Sequence, residues 1–197
     1  MTKPSRRGLL IVISGPSGVG KDTLLRGLLE LDPNLRYSVS FTTRAPRPGE
    51  VDGTNYSFVS RDQFEKLIEK GEFLEHATYD GNLYGTSAAR VEEARASGRD
   101  IILKIEVQGA EQVREKVPDA LFIFVAPPST QELVRRQEGR NSESQEDMAS
   151  RRKIAAKEMT YASHYDHVVV NDDLEQAVAE VLAIIRAERP RRSRATL

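Results

Sequence analysis

The sequence predicts an α/β fold around a mainly parallel β-sheet, and three observations support this prediction. Four short segments are rich in β-branched or aromatic residues, at positions 9–13, 101–107, 121–125 and 168–170. Three of the four show no apolar/polar alternation, which is typical of strands covered on both faces. Segments with helical periodicity separate the strands, and this alternation indicates a parallel sheet.

Three helices are predicted between or after these strands. Residues 21–31 carry closely spaced leucines and stop before a proline, as a helix does at its end. Residues 88–97 are rich in alanine and are followed by Gly98, a usual helix stop. Residues 174–187 place apolar side chains on one face, which predicts a helix that packs on the sheet.

Two segments interrupt this alternation. Residues 38–87 are rich in Thr, Pro, Gly, Tyr and Phe, which predicts a small insertion with antiparallel strands and one helix at 62–70. Residues 128–157 hold many charges and few large apolar groups, which predicts a mobile helical lid. The arginine-rich tail at 186–194 is expected to fray. The rest forms one core, namely 1–37, 88–127 and 158–197.

Composition excludes several classes of protein. The 197 residues include 29 Lys and Arg against 30 Asp and Glu, a balance that argues against a general binder of nucleic acid. Cysteine is absent, which excludes disulfides, zinc–thiolate sites and a cysteine nucleophile. No apolar run is long enough to span a membrane. We expect a cytoplasmic monomer or homodimer that binds neither nucleic acid nor membrane.

A glycine-rich loop follows the first predicted strand and opens the first predicted helix. Its glycines let the backbone N–H groups turn inward toward phosphate oxygens, and the helix N-terminus adds partial positive charge. The spacing of Gly15, Gly20 and Lys21 matches a P-loop. We expect ATP phosphates to contact Gly15, Pro16, Ser17, Gly18, Val19, Gly20, Lys21, Asp22 and Thr23.

Asp22 departs from the usual loop, in which a Ser or Thr follows the lysine and binds magnesium. Three interpretations stay open. Asp22 binds Mg²⁺ directly or through water, or it favours the helix N-terminus, or it repels phosphate and marks an inactive site. We name Asp22 as the candidate metal ligand.

A second anion site is predicted in the insertion. Arg44 and Arg47 lie three residues apart beside rigid prolines, and two converging guanidinium groups suit a phosphate dianion. The nearby carboxylate of Glu50 can accept the adjacent N1–H and N2–H₂ donors of guanine, a pair that adenine lacks. Ser40, Thr43 and Tyr56 add neutral hydrogen-bonding groups, and Glu75 and Tyr84 follow in the same segment.

These motifs together resemble the guanylate kinases of the nucleoside monophosphate kinase group. The resemblance covers roughly residues 8–188. Its markers are the segments at 15–21, 40–50, 84–86, 107–110, 126–129, 138–140 and 170–173. It implies a five-stranded, mainly parallel P-loop kinase core, a GMP-binding insertion and an arginine-bearing lid. It also implies the reaction ATP + GMP → ADP + GDP with Mg²⁺, and we expect dGMP to be accepted as well.

The resemblance also implies roles for single residues. On the GMP side these are Ser40, Arg44, Arg47, Glu50, Tyr56, Glu75, Tyr84, Thr86 and Glu106, with Glu50 reading guanine and Ser40 and Thr86 assisting. The catalytic cations would be Lys21, Arg47, Arg140 and Arg151, which meet the transferring phosphoryl group. Arg136 would also bind on the ATP side, beside these cations. The adenine of ATP would lie near Asn171 and Asp172, although Asp172 is also suited to cap a helix.

The third strand departs from the family pattern. The family usually carries acids at both Lys104 and Glu106, so Lys104 reverses a charge. We assign it no role beyond pairing with Glu106 or Asp22. The three histidines show no ligand spacing and are interpreted as structural.

Two other functions remain open. One is another small-molecule kinase on this fold, such as a ribose bisphosphate kinase, in which an Asp after the P-loop lysine would not be out of place. The other is a guanylate-kinase-like interaction module without catalysis, although such modules have typically lost the P-loop that is present here.

Overall fold

A computed structural model describes residues 6–138 and 156–194 of the chain. Its strands are β1 (Leu10–Ser14), β2 (Leu35–Tyr37), β3 (Phe41–Thr42), β4 (Ser57–Phe58), β5 (Phe73–Tyr79), β6 (Asn82–Ser87), β7 (Asp100–Lys104), β8 (Leu121–Ala126) and β9 (His167–Val170). Its helices include α1 (Lys21–Leu31), α2 (Arg61–Glu69), α3 (Ala88–Ala96), α4 (Val107–Lys116), α5 (Thr130–Glu138) and α6 (Leu174–Arg194), with a 3₁₀ helix at Thr160–His164.

A five-stranded parallel sheet in the order β2-β7-β1-β8-β9 forms the centre, as predicted. Its strands alternate their side chains between two hydrophobic clusters. Ile11 and Ile13 pack with α1 and α6, whereas Leu10 and Val12 pack with α3 and α4. Because both faces are covered, β1 and β8 are buried along their whole length, which explains their lack of polar alternation.

The insertion forms a second sheet in the order β4-β3-β6-β5. β3 with β6 and β5 with β6 are antiparallel, as predicted, whereas β3 with β4 is parallel. The helix α2 begins with a capping box, in which Ser60 and Gln63 exchange hydrogen bonds. This sheet stands beside the carboxyl ends of the central strands and places its polar residues opposite the glycine-rich loop.

The predicted strand at 101–107 is too long. β7 ends at Lys104, Glu106 occupies the N-cap of α4, and Val107 is the first residue of that helix. Helix α4 was not predicted, although Val107, Ala110 and Val113 recur at helical spacing and all three are buried. The turn between β7 and α4 brings Lys104 and Glu106 to the carboxyl edge of the sheet.

The fraying predicted for 186–194 is wrong. Helix α6 continues to Arg194, and Arg189 donates to Asp32 and Asp100 at 2.5 Å each. Arg6 binds the same Asp100 carboxylate, which is fully buried and also accepts from the Leu9 N–H. This ion network ties Arg189 near the helix end to the sheet, whereas Arg186 and Arg191 are exposed.

The start of the predicted lid is fixed to the core. Leu133 of α5 is buried in the same cluster as Ile13 and Val19. Residues 139–155 lie outside the described part, and so do the predicted catalytic residues Arg140 and Arg151. No helix in the described ranges is long and apolar enough to cross a membrane.

Candidate active site

One cavity of about 940 Å³ lies at the carboxyl edge of the central sheet, facing the insertion. Ligands in open α/β folds bind at this edge, outside the strand ends. Most of the predicted site residues line it together, namely Ser17, Gly18, Gly20, Lys21, Asp22, Ser40, Arg44, Arg47, Glu50, Tyr56, Glu75, Tyr84 and Glu106. The fold therefore joins the two predicted anion sites in a single space.

The glycine-rich loop has the geometry of a phosphate cradle. Gly15 has φ 147°, and a β carbon there would lie 2.1 Å from the Val125 carbonyl oxygen, so only glycine fits. Gly20, at φ 98°, turns the chain into α1. The Lys21 ammonium donates to the carbonyls of Gly15 and Pro16, which holds it over the mouth of the loop. The loop thus presents a helix N-terminus and a fixed cation at one point.

Three residues hold this loop from behind. The buried Asn171 amide donates to the Val19 carbonyl at 2.8 Å, and the Arg136 guanidinium donates to the Asn171 carbonyl at 2.8 Å. Gln137, also on α5, donates to the Ser17 carbonyl at 2.7 Å. Arg136 and Asn171, both predicted to bind ATP, thus hold the backbone of the P-loop, and their contact with ATP itself stays a prediction. Gln137 was missed, because nothing in its sequence context distinguishes it.

The remaining predicted ATP residues occupy varied surroundings. The Val19 side chain is fully buried in the core, so this residue can offer only its backbone to a ligand. Thr23 and Asp172 are exposed. The neighbouring Asp173 caps α6 by accepting from the Gln176 N–H at 2.9 Å, so helix capping falls to Asp173.

In the insertion, Glu50 organises the two predicted phosphate arginines. Its oxygens accept from Arg44 Nη2 at 2.8 and 2.9 Å, and Oε2 also accepts from the Arg47 backbone N–H at 2.7 Å. Burial alone would raise the pKa of Glu50, but these hydrogen bonds lower it below its ordinary value. The carboxylate is therefore engaged within its own loop, which favours a role in holding Arg44 over its expected role as the reader of guanine.

Two tyrosines complete this region. The Arg44 guanidinium lies 5.5 Å from the centre of the Tyr56 ring, and the Tyr56 and Tyr84 rings are 5.9 Å apart. Stacking and ion pairing hold Arg44 in one place with little conformational freedom left to lose on binding.

Glu75 occupies a different environment from Glu50. It is almost fully buried, and its Oε1 accepts from Thr86 Oγ1 at 2.6 Å. Burial raises its pKa to about 7, despite the opposing effects of Thr86 and Lys116. The buried Ser40 lines the same cavity. A carboxylate in this position offers hydrogen bonds of high strength to a planar ligand.

Two residues near the loop were missed or left without a role. Lys104 lines the cavity and its ammonium donates to Asp22 Oδ1, which confirms one of the two pairings predicted for it. Glu158 is 4% exposed, and burial together with Glu106 raises its pKa to about 8, although Lys21 and Ser17 act in the opposite direction. No sequence signal marks Glu158, since it follows a highly charged segment.

The histidines lie outside this constellation. His164 Nδ1 lies 3.2 Å from Glu111 Oε1, and the His76 ring packs near Phe73. Within the described ranges, no group of three or more His, Cys, Asp or Glu side chains could hold a metal ion by itself.

Comparison with known proteins agrees with this geometry. The family model described as guanylate kinase matches residues 7–188. The guanylate kinase of Rubrobacter xylanophilus is 55% identical over 181 residues, which cover 92% of this chain and 95% of that protein. The guanylate kinase of Halalkalibacterium halodurans is 54% identical over 188 residues, covering 95% and 92%.

A solved structure gives the same result for the fold. The crystal structure of guanylate kinase from Anaplasma phagocytophilum superposes with a TM-score of 0.80 at 38% identity, covering 93% of this chain and 87% of that one. These matches agree with the P-loop on a five-stranded sheet and with the single cavity that both predicted anion sites line. The chain belongs to the guanylate kinase family.

Proposed function

We propose that this protein transfers the γ-phosphoryl group of ATP to GMP, giving ADP and GDP. The observation that carries the proposal is the single cavity in which Lys21 of the P-loop faces the Arg44–Glu50 loop and Glu75. A phosphate donor and a phosphate acceptor bound there are close enough to react. The names of the relatives support the choice of GMP as acceptor.

On the ATP side, the backbone of the loop and the Lys21 ammonium bind the phosphates. Arg136 and Asn171 keep the loop in shape through the carbonyls described above, and the adenine is expected beside them and Asp172. Arg140 and Arg151 remain predictions as the cations that meet the transferring group. These roles are supported by residue type and by family membership.

On the GMP side, Arg44 and Arg47 bind the phosphate, together with Tyr56 and Tyr84. Guanine is read by Glu75 rather than by Glu50, because Glu75 is the buried carboxylate whose surroundings leave it an acceptor for N1–H and N2–H₂. Thr86 orients Glu75 and Ser40 adds a further hydrogen bond. Glu106 lines the cavity near them, on the side of α4.

The family implies Mg²⁺, and the residues present fit an ion held mainly by ATP. Mg²⁺ usually keeps several waters and binds through substrate phosphates and one or two carboxylates. Asp22 is 68% exposed at the cavity, but its Oδ1 is engaged by Lys104, so we place it in contact with Mg²⁺ through water rather than directly. When bound, the ion neutralises charge on the β- and γ-phosphates.

The protein contributes alignment and charge rather than proton transfer. In phosphoryl transfer the attacking and leaving oxygens lie in line, and the rate depends on how well the two substrates are held. Glu75 and the arginine pair fix GMP at two ends, and the P-loop fixes ATP.

Further properties follow from this assignment as proposals. We expect dGMP to be a second acceptor, and we expect neither nucleic acid nor membrane to be a partner. We place the protein in the cytoplasm, as a monomer or a homodimer.

A coupled assay with ATP and Mg²⁺ tests the function. We expect turnover with GMP and dGMP, and at least a hundredfold lower kcat/KM with AMP, UMP and ribose 1,5-bisphosphate, because unpaired buried polar groups reject a wrong base strongly. The Lys21→Met protein, with a normal fold by circular dichroism, should lose activity. Faster turnover of ribose 1,5-bisphosphate than of GMP would overturn the proposal. A folded wild-type protein that binds GMP but does not phosphorylate it would also overturn the proposal.

A further inference from the structure

Lys104 is a charged residue of the cavity that has no role in the proposed function. It ends β7, and its side chain is only 14% exposed. Its ammonium donates to Asp22 and lies 5.7 Å from the centre of the Tyr37 ring and 5.6 Å from that of Tyr56. Two aromatic faces and one carboxylate therefore fix the position of this cation.

The partners of Lys104 belong to opposite sides of the site. Asp22 directly follows Lys21, so it marks the position of the ATP phosphates. Tyr56 lies under the Arg44 guanidinium and packs edge to face with Tyr84, so it marks the position proposed for the GMP phosphate. The Lys104 ammonium lies between these two markers and lines the same cavity.

The surroundings keep this ammonium charged. Burial alone would lower the pKa of Lys104, but the hydroxyls of Tyr37 and Tyr56 and the Asp22 carboxylate raise it above its ordinary value. The negative charges of the two phosphates repel each other, and this repulsion opposes the approach of GMP to ATP. A charged ammonium between the two phosphates reduces the repulsion. It also neutralises Asp22, so that the carboxylate after the P-loop lysine does not repel the phosphates.

We infer that Lys104 is a phosphate-binding residue that contacts the phosphate of GMP and helps align it with the γ-phosphate of ATP, with Asp22 holding the ammonium in place. This rests on the proposed function, because it assumes that GMP binds with its phosphate beside Tyr56. It also accounts for the pairing of two unusual residues, one after the P-loop lysine and one at the end of β7.

The test compares GMP with guanosine, which lacks the phosphate. We expect Lys104→Met to weaken GMP binding, measured by calorimetry, by about 10- to 100-fold, the cost of losing a charge-assisted hydrogen bond. Guanosine affinity should change by less than about threefold, because guanosine has no phosphate for Lys104 to bind. Lys104→Arg should restore most of the GMP affinity, because it keeps the charge.

The controls separate this role from a structural one. Lys70→Met removes an exposed lysine that does not line the cavity and should leave every constant unchanged. Asp22→Asn removes the carboxylate that holds the ammonium in place, so GMP affinity should fall, but by less than in Lys104→Met.

An equal loss of guanosine and GMP affinity in Lys104→Met, or unchanged GMP affinity, would overturn the inference. If Lys104→Met does not fold, Lys104→Arg and Lys104→Gln give the same comparison. A wild-type protein that does not phosphorylate GMP would instead overturn the proposed function. If the wild-type protein phosphorylates GMP and Lys104→Met binds GMP with wild-type affinity, only the role of Lys104 is contradicted.

Discussion

The carboxylate of Glu75 on β5 lies where a side chain on Gly109 of α4 would otherwise be. A β carbon on Gly109 would lie 2.3 Å from Oε2 of Glu75, closer than any carbon–oxygen contact allows. Gly109 is in the first turn of α4, so the missing side chain lets a carboxylate from β5 lie against the start of a helix. Partial positive charge at a helix N-terminus favours the ionised carboxylate.

We therefore predict that Gly109→Ala weakens guanosine binding about tenfold or more, with a loss of stability of at most about 2 kcal/mol because the clash and the gain in helix propensity oppose each other. Alanine is the better helix former by about 1 kcal/mol, so the helix itself gains. The added methyl group displaces the Glu75 carboxylate and disturbs the pair of acceptors that face guanine. Calorimetry with guanosine and thermal unfolding give the two readouts.

Gln108→Ala is the matched control, since Gln108 is the exposed neighbour in the same turn and should leave guanosine affinity unchanged. Wild-type guanosine affinity in Gly109→Ala would show that Glu75 moves without consequence and would contradict its role as the reader of guanine.

Glu50 and Glu75 can be told apart by the same ligands. Glu50→Gln removes a carboxylate that holds Arg44, so GMP affinity should fall about tenfold, the cost of loosening one charged hydrogen-bonding group. Guanosine affinity should be unchanged. Glu75→Gln should lower the affinity of both ligands by a similar factor, because guanine is common to both.

The opposite pattern, in which Glu50→Gln weakens guanosine, would restore the reading of guanine by Glu50.

The roles proposed for Glu50 and Glu75 differ from those expected from the sequence, and this difference shows which features of the site a sequence can predict. The P-loop and the Arg44–Arg47 pair depend on local spacing, so the sequence predicts them well. Which carboxylate faces the base depends on tertiary contacts, namely the Arg44–Glu50 pair and the room left by Gly109. Likewise, Asp22 and Lys104 are 82 residues apart, and only the adjacency of β1 and β7 brings them together.

The pH dependence of guanosine binding should report on Glu75. Its pKa is raised to about 7 by burial, so the carboxylate becomes ionised between pH 6 and 8. Only the ionised form accepts two hydrogen bonds from guanine, and the affinity should therefore rise about tenfold across this range. Guanosine is the ligand of choice because its lack of phosphate removes the second titration near pH 6.

Glu75→Gln should abolish this dependence while keeping a weaker affinity. A wild-type affinity that is flat from pH 6 to 8, or that falls as the pH rises, would show that the proton on Glu75 does not compete with guanine.

Glu158 should make the protein less stable at alkaline pH. Burial and Glu106 raise its pKa to about 8, so the folded state keeps a proton that the unfolded state loses near pH 4.5. The free energy of unfolding therefore falls as pH rises from about 4.5 to 8, by up to about 1.4 kcal/mol per pH unit for one such group. Glu158→Gln should flatten this slope in urea titrations.

Glu158→Gln should then match wild type near pH 5 and exceed it near pH 8. A variant with the same slope as wild type would show that other groups cause the dependence. Glu111→Gln serves as a control, because Glu111 is a partly exposed acid on the neighbouring helix α4.

The end of α6 illustrates the other limit of sequence reasoning. An arginine-rich terminus usually remains solvated, and no local pattern shows that Arg189 meets Asp32 and Asp100. Asp100 is the first residue of β7 and Asp32 follows α1, so their convergence depends on the order of the strands. The inner strands β1, β7 and β8, by contrast, are visible in the sequence because burial on both faces leaves them almost uniformly apolar.

This network yields a stability prediction with a control in the same helix. Arg189→Met should lower the free energy of unfolding by about 3 kcal/mol, because it leaves the fully buried Asp100 with one ion-pair partner fewer. Arg191→Met removes an arginine that is 75% exposed and pairs with Glu188, so the loss should be below about 1 kcal/mol. Urea unfolding at pH 7 compares the two variants directly, and GMP turnover at 25 °C should be unchanged in both because neither residue lines the cavity. Equal losses would mean that the tail contributes through general packing rather than through the Asp100 network.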